Sequence, residues 1–312
     1  FFKEEFGVEN KILWLPDVFG YSASMPQILK KSGIRYFMTT KISWNEVNRI
    51  PNDTMVWRGI DGTGILTYFI TTQENKKTPG EDPDDFTTTY NGEITPSQVS
   101  GCWERYSNKG MNQDILNCFG FGDGGGGATA DMLEQHARLK KGITGIPRTK
   151  QGFAKEFFHR LEHNLKDRDV PEWSGELYLE FHRGTYTSMG RNKRYNRLCE
   201  WKNCDVEQFS VLGRLLRTGL LYPREDLNRC WKLTLLNQFH DILPGSSIKE
   251  VYEDSKTQYE EILRTDRQNI EKALRAVADR IPASGRSAVV FNPLYTAGEG
   301  MIRIDSNVPV SL

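Results

Sequence analysis

Short apolar runs alternate with amphipathic stretches through residues 1–189, and longer charged stretches with helical spacing follow them. KILWL at 11–15 and YFMT at 36–39 are apolar and of strand length, while MPQILKKS at 25–32 has helical spacing closed by Gly33. Residues 54–60 and 65–70 read as paired strands around the turn dipeptide Asp61-Gly62. Residues 72–95 are polar and carry Pro, Gly, Asn and Asp, which predicts a long surface loop of the kind that serves as a lid. A helix is predicted over 96–107 with Trp103 inward, a buried strand over 114–119, and an amphipathic helix over 129–140. ELYLEF at 176–181 alternates at period two and reads as a strand. Strand and helix in turn predict an α/β domain with a mostly parallel or barrel-like sheet.

After Gly190 the period becomes helical. Residues 192–218, 223–239 and 249–280 predict three long helices in succession, Pro223-Arg-Glu-Asp being a good helix start, and three such helices suggest a bundle. SAVVFN at 287–292 then opens a β segment. The expected organisation is an α/β domain over 1–189, a helical bundle over 190–283 and the start of a β domain over 284–312.

Composition narrows the classes of function. The chain has 41 basic and 41 acidic residues, so it lacks the cationic surplus that nucleic-acid binding requires. No apolar run approaches the roughly 20 residues of a membrane helix. Both facts predict a soluble protein without nucleic-acid or membrane partners. Cys102, Cys118, Cys199, Cys204 and Cys230 are odd in number and scattered, which reads as reduced thiols of a cytosolic protein. The chain opens Phe-Phe-Lys without Met, and a new alternating pattern breaks off at its other end. An internal segment of a longer protein is the expectation.

Four stretches carry candidate chemistry. In LWLPDVFGYS, Asp17 stands where an apolar strand stops, either as turn chemistry or as a group displayed at a strand end. FGFGDGGGGAT at 119–129 satisfies G-x-G-x-x-G through Gly120, Gly122 and Gly125. An NADP-dependent oxidoreductase is therefore one reading, although Asp123 would place a carboxylate beside the phosphates. A flexible turn is a second reading, and a second displayed carboxylate is a third. NQFHDILPGS places His240 and Asp241 at a helix end, where a histidine is a dipole partner or a metal ligand. His136, His159 and His163 lie on charged helical segments and read as solvated. In LYLEFHRGTYTS, His182 and Arg183 follow a strand and lead into hydroxyl-bearing residues suited to a neutral polar ligand.

WLPDVFGYS, MPQILKKSGIRYFMTTKISWNE, WRGIDG, TTYNGEITPSQVSGCWERY, FGFGDGGGGAT, ELYLEFHRGTYTS and LNQFHDILPGSS resemble, in order and spacing, glycoside hydrolase family 38, most closely its bacterial and cytosolic/vacuolar α-mannosidases. The resemblance implies a retaining, zinc-dependent α-mannosidase acting on terminal α-linked mannose of glycans. It implies a seven-stranded α/β barrel, then a three-helix bundle, then β-sandwich domains. By this resemblance Asp17 is the nucleophile and a zinc ligand, Asp123 the general acid/base, and His240 a further zinc ligand. Phe19, His182, Arg183, Tyr186 and Asp241 line the sugar site. A cytoplasmic or vacuolar/lysosome-like location is implied, and self-association into a homo-oligomer is left open.

Two departures qualify this picture. The family's His-x-Asp zinc pair precedes the nucleophile, whereas no histidine precedes His136 here. Tyr68 stands where the family tends to carry His. The barrel and the zinc site are therefore expected to be incomplete, with weak zinc binding and little or no activity of this chain alone. A non-catalytic carbohydrate-binding protein is the remaining alternative.

Overall fold

The computed structural model describes residues 2–73, 87–283, 287–294 and 296–300. The chain divides into two units, Phe1–Arg183 and Gly184–Leu312.

In the first unit a short helix, α1 (Phe2–Phe6), precedes strands β1 (Ile12–Trp14) and β2 (Gly20–Tyr21). Helix α2 (Met25–Lys31) leads to β3 (Tyr36–Thr39), a 3-10 turn over Lys41–Trp44, and the antiparallel pair β4 (Thr54–Arg58) and β5 (Gly64–Phe69). Helices α3 (Pro96–Arg105), α4 (Ala130–Leu139) and α5 (Ala154–Asn164) follow, then β6 (Glu172–Ser174) and β7 (Leu177–Tyr178). The main sheet has the order β1-β3-β5-β4-β6. β1, β3 and β5 run parallel, with Trp14 opposite Met38 and Met38 opposite Tyr68. A separate two-stranded ladder pairs β2 with β7. The described strands form an open mixed sheet plus a ladder, where an incomplete seven-stranded barrel was expected.

Both faces of the sheet are buried, which is why β3 reads as an unbroken apolar run. Tyr36, Met38, Tyr68 and Ile70 pack with Phe157, Phe158 and Leu161 of α5 on one face. Phe37, Ile65 and Phe69 pack with Trp57, Met55 and Leu29 of α2 on the other. The predicted strand over 114–119 is absent: its backbone is bound by side chains instead of a ladder. Tyr68 Oη accepts from the Leu116 amide at 3.1 Å, and Thr72 Oγ1 from the Cys118 amide at 2.8 Å. Tyr68 is thereby buried in the core with a defined task. The strand expected over 176–181 is cut to two residues, because the chain turns into a 3-10 helix over Glu180–Tyr186. His136 is buried, not solvated, with its ring stacked 6.3 Å from that of Phe119. The loop expected over 72–95 is buried at both ends, at Thr72, Thr88 and Ile94, and 74–86 lie outside the described residues.

In the second unit, α6 (Gly190–Leu215), α7 (Arg224–Leu236) and α8 (Lys249–Ala278) each pack against the other two. Cys199, Cys230, Tyr259 and Ile262 form their shared core. Residues 287–294 and 296–300 carry no strand, so the β segment expected at 287–292 does not form, and 301–312 lie outside the described residues. All five cysteines are free, and burial pushes the thiols of Cys102, Cys118, Cys199 and Cys230 up to about 12.

Asp266 of α8 is 1% exposed and its Oδ2 has no hydrogen-bond partner among the described residues. Burial, with the charges of Asp226 and Asp205, raises its carboxyl to about 7, against the smaller opposing effects of Cys230 and Lys202. Between its unfolded value near 4 and about 7, the folded state binds the extra proton, so stability falls as pH rises through that window. The expected loss is on the order of 1.4 kcal/mol per pH unit at its steepest. Asp266→Asn should flatten this slope and raise the thermal unfolding midpoint at pH 8 while changing it little at pH 4. Unfolding scans of parent and variant across pH check this.

Candidate functional site

In the first unit the site is built where the parallel strands end. After β1 the Leu15 carbonyl accepts from Tyr21 Oη at 2.6 Å and Thr39 Oγ1 at 2.9 Å. The Lys41 amide donates to the Pro16 carbonyl at 3.3 Å. These contacts deliver Asp17, half-buried, at the strand end. Lys41 comes from the 3-10 turn after β3; its Nζ lies 3.1 Å from Asp17 Oδ1 and 3.5 Å from the centroid of the Trp44 ring. The ammonium offsets the charge of Asp17 and is itself held over an aromatic face. Trp44 Nε1 donates to the Thr88 carbonyl at 2.8 Å, which ties this turn to the residues before Tyr90.

Asp123 sits at the tip of a tight hairpin. Phe121 and Gly127 exchange two backbone hydrogen bonds of 2.8 Å, and Gly125 donates to the Gly122 carbonyl at 2.7 Å. Asp123 has φ +53°, a left-handed conformation that is uncommon outside glycine. Gly122 has no room for a side chain: a Cβ there would lie 2.4 Å from Asn91 Oδ1. The Tyr90 phenol donates to Asp123 Oδ1 at 2.9 Å and Asn91 Nδ2 to Asp123 Oδ2 at 2.8 Å. Burial, the bond to Asp123 and the negative charge of Asp17 push the Tyr90 phenol well above its ordinary range, so it stays a donor. The glycines therefore shape a hairpin and not the strand-turn-helix of a dinucleotide fold; α4 begins only at Ala130, capped by Thr129. The oxidoreductase reading loses its structural basis.

The remaining candidates of the first unit flank the β2–β7 ladder. The Phe19 ring stands 4.6 Å from that of His182, and the Phe19 carbonyl accepts from the Leu179 amide at 2.8 Å. The Arg183 guanidinium lies 5.3 Å from the centroid of the Tyr178 ring. Asn45 joins this wall to the turn bearing Lys41: its Nδ2 donates to the Tyr178 carbonyl and its Oδ1 accepts from the Glu180 amide, both at 2.9 Å. A cavity of about 630 Å3 lies in this unit, lined by Trp14, Met38, Tyr90, Phe119 and His136 among others, but by neither Asp17 nor Asp123.

Tyr186, His240 and Asp241 belong to the second unit. Tyr186 is exposed. His240 follows α7; its ring is 4.2 Å from that of Phe239, and its Nε2 lies 3.5 Å from Asp241 Oδ2. Ser246 Oγ donates to Asp241 Oδ1 at 2.8 Å, and Lys193 Nζ donates to the Leu243 carbonyl at 2.8 Å, which fixes the turn. Sequence reasoning missed Lys41, Trp44, Tyr90, Asn91 and Glu180. All five lie inside the quoted motifs, yet no spacing rule singles them out.

Glu180 binds the turn that follows Lys41–Trp44. Its Oε1 accepts from the amides of Glu46 and Val47 at 2.5 and 2.8 Å, and its Oε2 from that of Asn48 at 3.0 Å. Hydrogen bonds from Val47 and then Asn48 lower its carboxyl from 4.5 to about 2. The folded value is depressed, so the stabilisation is present above 4.5 and is lost as pH falls toward about 2. Glu180→Gln should lower the unfolding midpoint at pH 7 and weaken the acid-side loss seen in the parent, as read by thermal scans between pH 7 and 2.

Comparison with known proteins gives the family of the chain. The family model described as "Glycosyl hydrolases family 38 N-terminal domain" matches residues 1–176, and "Alpha mannosidase middle domain" matches 180–277. The chain is 40% identical over 262 residues to alpha-mannosidase 2C1 of Homo sapiens, covering 84% of this chain and 24% of that protein. It is 40% identical over 259 residues to an alpha-mannosidase of Saccharomyces cerevisiae, covering 81% and 22% respectively. The chain thus spans about a quarter of the length of the curated relatives it matches. A crystal structure of an alpha-mannosidase from Enterococcus faecalis V583 superposes with a TM-score of 0.66 over 89% of this chain and 31% of that one; the 16% identity makes this a likeness of fold. With more than half of its length matched by the family's N-terminal domain and its relatives at 40% identity, the chain belongs to glycosyl hydrolase family 38.

Proposed function

We propose that the chain carries the catalytic carboxylates of a retaining α-mannosidase that hydrolyses terminal α-linked mannose of glycans. Asp17 is the nucleophile and Asp123 the general acid/base. The observation that carries this reading is that the first unit holds two carboxylates in defined settings, Asp17 at the end of β1 beside Lys41 and Asp123 between Tyr90 and Asn91. A retaining glycosidase needs two carboxyl groups about 5–5.5 Å apart across the anomeric carbon. Asp17 attacks that carbon as its bond to the leaving oxygen breaks, and Asp123 supplies the proton that oxygen takes. Asp123 then removes a proton from water, which cleaves the glycosyl ester and restores the Asp17 carboxylate. Phe19 offers an aromatic face to the sugar ring, with His182 and Arg183 beside it; Tyr186 and Asp241 are carried over from the family resemblance as further polar contacts.

Zinc is the cofactor of this reading. When bound, it supplies Lewis-acid contact to adjacent sugar hydroxyls, which favours a sugar with an axial hydroxyl at C2. The candidate ligands read from the sequence, the carboxylate of Asp17 and the imidazole of His240, are of the kinds that zinc takes. The parallel β1-β3-β5 strands and the three mutually packed helices support a barrel-like catalytic domain and a helical middle domain. Five free cysteines fit a reducing compartment such as the cytoplasm.

Zinc content and hydrolysis of an aryl α-mannoside are the measurements, on the parent, Asp17→Ala and Asp123→Ala. The parent should bind zinc and hydrolyse the aryl α-mannoside, and each variant should be slower by about 100-fold or more. Hydrolysis by Asp17→Ala as fast as by the parent would remove the assignment.

A further inference from the structure

Tyr90 and Asn91 are chain neighbours that grip opposite oxygens of one carboxylate. The Tyr90 phenol donates to Asp123 Oδ1 at 2.9 Å and the Asn91 amide to Oδ2 at 2.8 Å. Asn91 spends its own carbonyl oxygen on the Gly122 amide, at 2.8 Å. A flipped Asn91 amide would lose both bonds, so its orientation is set. The gripping residues are themselves anchored: the Thr89 amide donates to the Thr72 carbonyl and the Gly120 amide to the Gly92 carbonyl, both at 2.8 Å.

The gripped residue, in contrast, has little else to hold it. Asp123 is exposed, at φ +53°, in a hairpin whose Gly124, Gly126 and Gly127 also have positive φ. An acid/base carboxyl group must be aimed to within fractions of an ångström, and glycine-rich backbone does not supply such aim. Resting on the mannosidase reading, we propose that Tyr90 and Asn91 are positioning residues that hold the Asp123 carboxyl group in one orientation toward the glycosidic oxygen.

The clamp occupies one lone pair on each oxygen of Asp123 and leaves another free for the transferred proton. As the bond from the anomeric carbon to the leaving oxygen breaks, that proton passes to the leaving oxygen. The charge left on Asp123 then meets two donors already in place, whose alignment costs no reorganisation. In the second half of the reaction the same two donors aim the carboxylate at the attacking water. Removing either donor therefore weighs most on substrates whose leaving oxygen needs a proton, whereas a general loss of structure weighs on all substrates alike.

The test compares Tyr90→Phe and Asn91→Ala with the parent on two aryl α-mannosides. One releases 2,4-dinitrophenolate, which departs without a proton, and the other 4-methoxyphenolate, which requires one. In both variants the ratio of kcat/KM between the two substrates should widen by about tenfold or more. A ratio within twofold of the parent's, with both rates lowered, overturns the positioning role and leaves the mannosidase reading standing. No turnover of the dinitrophenyl substrate by the parent overturns the reading and the positioning role together. Thermal unfolding confirms that each variant is folded. The side-chain amide resonances of Asn91 report the contact without turnover: they should move in Asp123→Ala, and resonances that stay in place would overturn the clamp.

Discussion

The Leu15 carbonyl is the contact on which the Asp17 end of the first unit depends. Two hydroxyls converge on it, Tyr21 Oη at 2.6 Å and Thr39 Oγ1 at 2.9 Å, where the β1 ladder has run out. A hydrogen bond of this kind contributes roughly 0.5–1.5 kcal/mol, so the two hydroxyls stabilise the strand end where the neighbouring strand no longer does. They are placed by two other elements: Thr39 closes β3, and Tyr21 lies in β2 among Phe37 and Trp57. The direction in which Asp17 leaves the sheet is thus set by core packing, and Lys41 and Trp44 follow from the same strand end.

The opposite carboxylate is supported by other means. No ladder reaches the hairpin bearing Asp123, and the chain leading to it at 114–119 is bound by the side chains of Tyr68 and Thr72. Side-chain contacts from the sheet and from residues 88–92 therefore do the work that strand pairing does at Asp17. One carboxylate is displayed by regular secondary structure and the other by a web of individual hydrogen bonds.

This difference also explains what was legible in the chain. Apolar period and turn residues predict β3 at its observed limits, the β4–β5 pair around Asp61-Gly62, and three long helices after residue 190. Residues 114–119 are apolar enough to predict a strand, yet the pattern cannot show that hydroxyls replace the neighbouring strand. His136 lies on a charged helix and reads as solvated, but α4 turns that one position inward against Phe119. Asp17, Asp123 and His240 were visible because carboxylates and imidazoles at element ends are chemically conspicuous. Tyr90, Asn91 and Lys41 are ordinary residue types whose importance comes from contacts over long sequence separations.

Asn45 and Glu180 bind the turn after Lys41–Trp44 to the segment carrying His182 and Arg183 through both their main-chain and side-chain atoms. These two walls consequently behave as one mechanical part. Their spacing is not free to drift, so change in what this side of the site accepts must come through exchange of the side chains on its rim. Backbone breathing offers evolution little here, and substitution at single rim positions offers most.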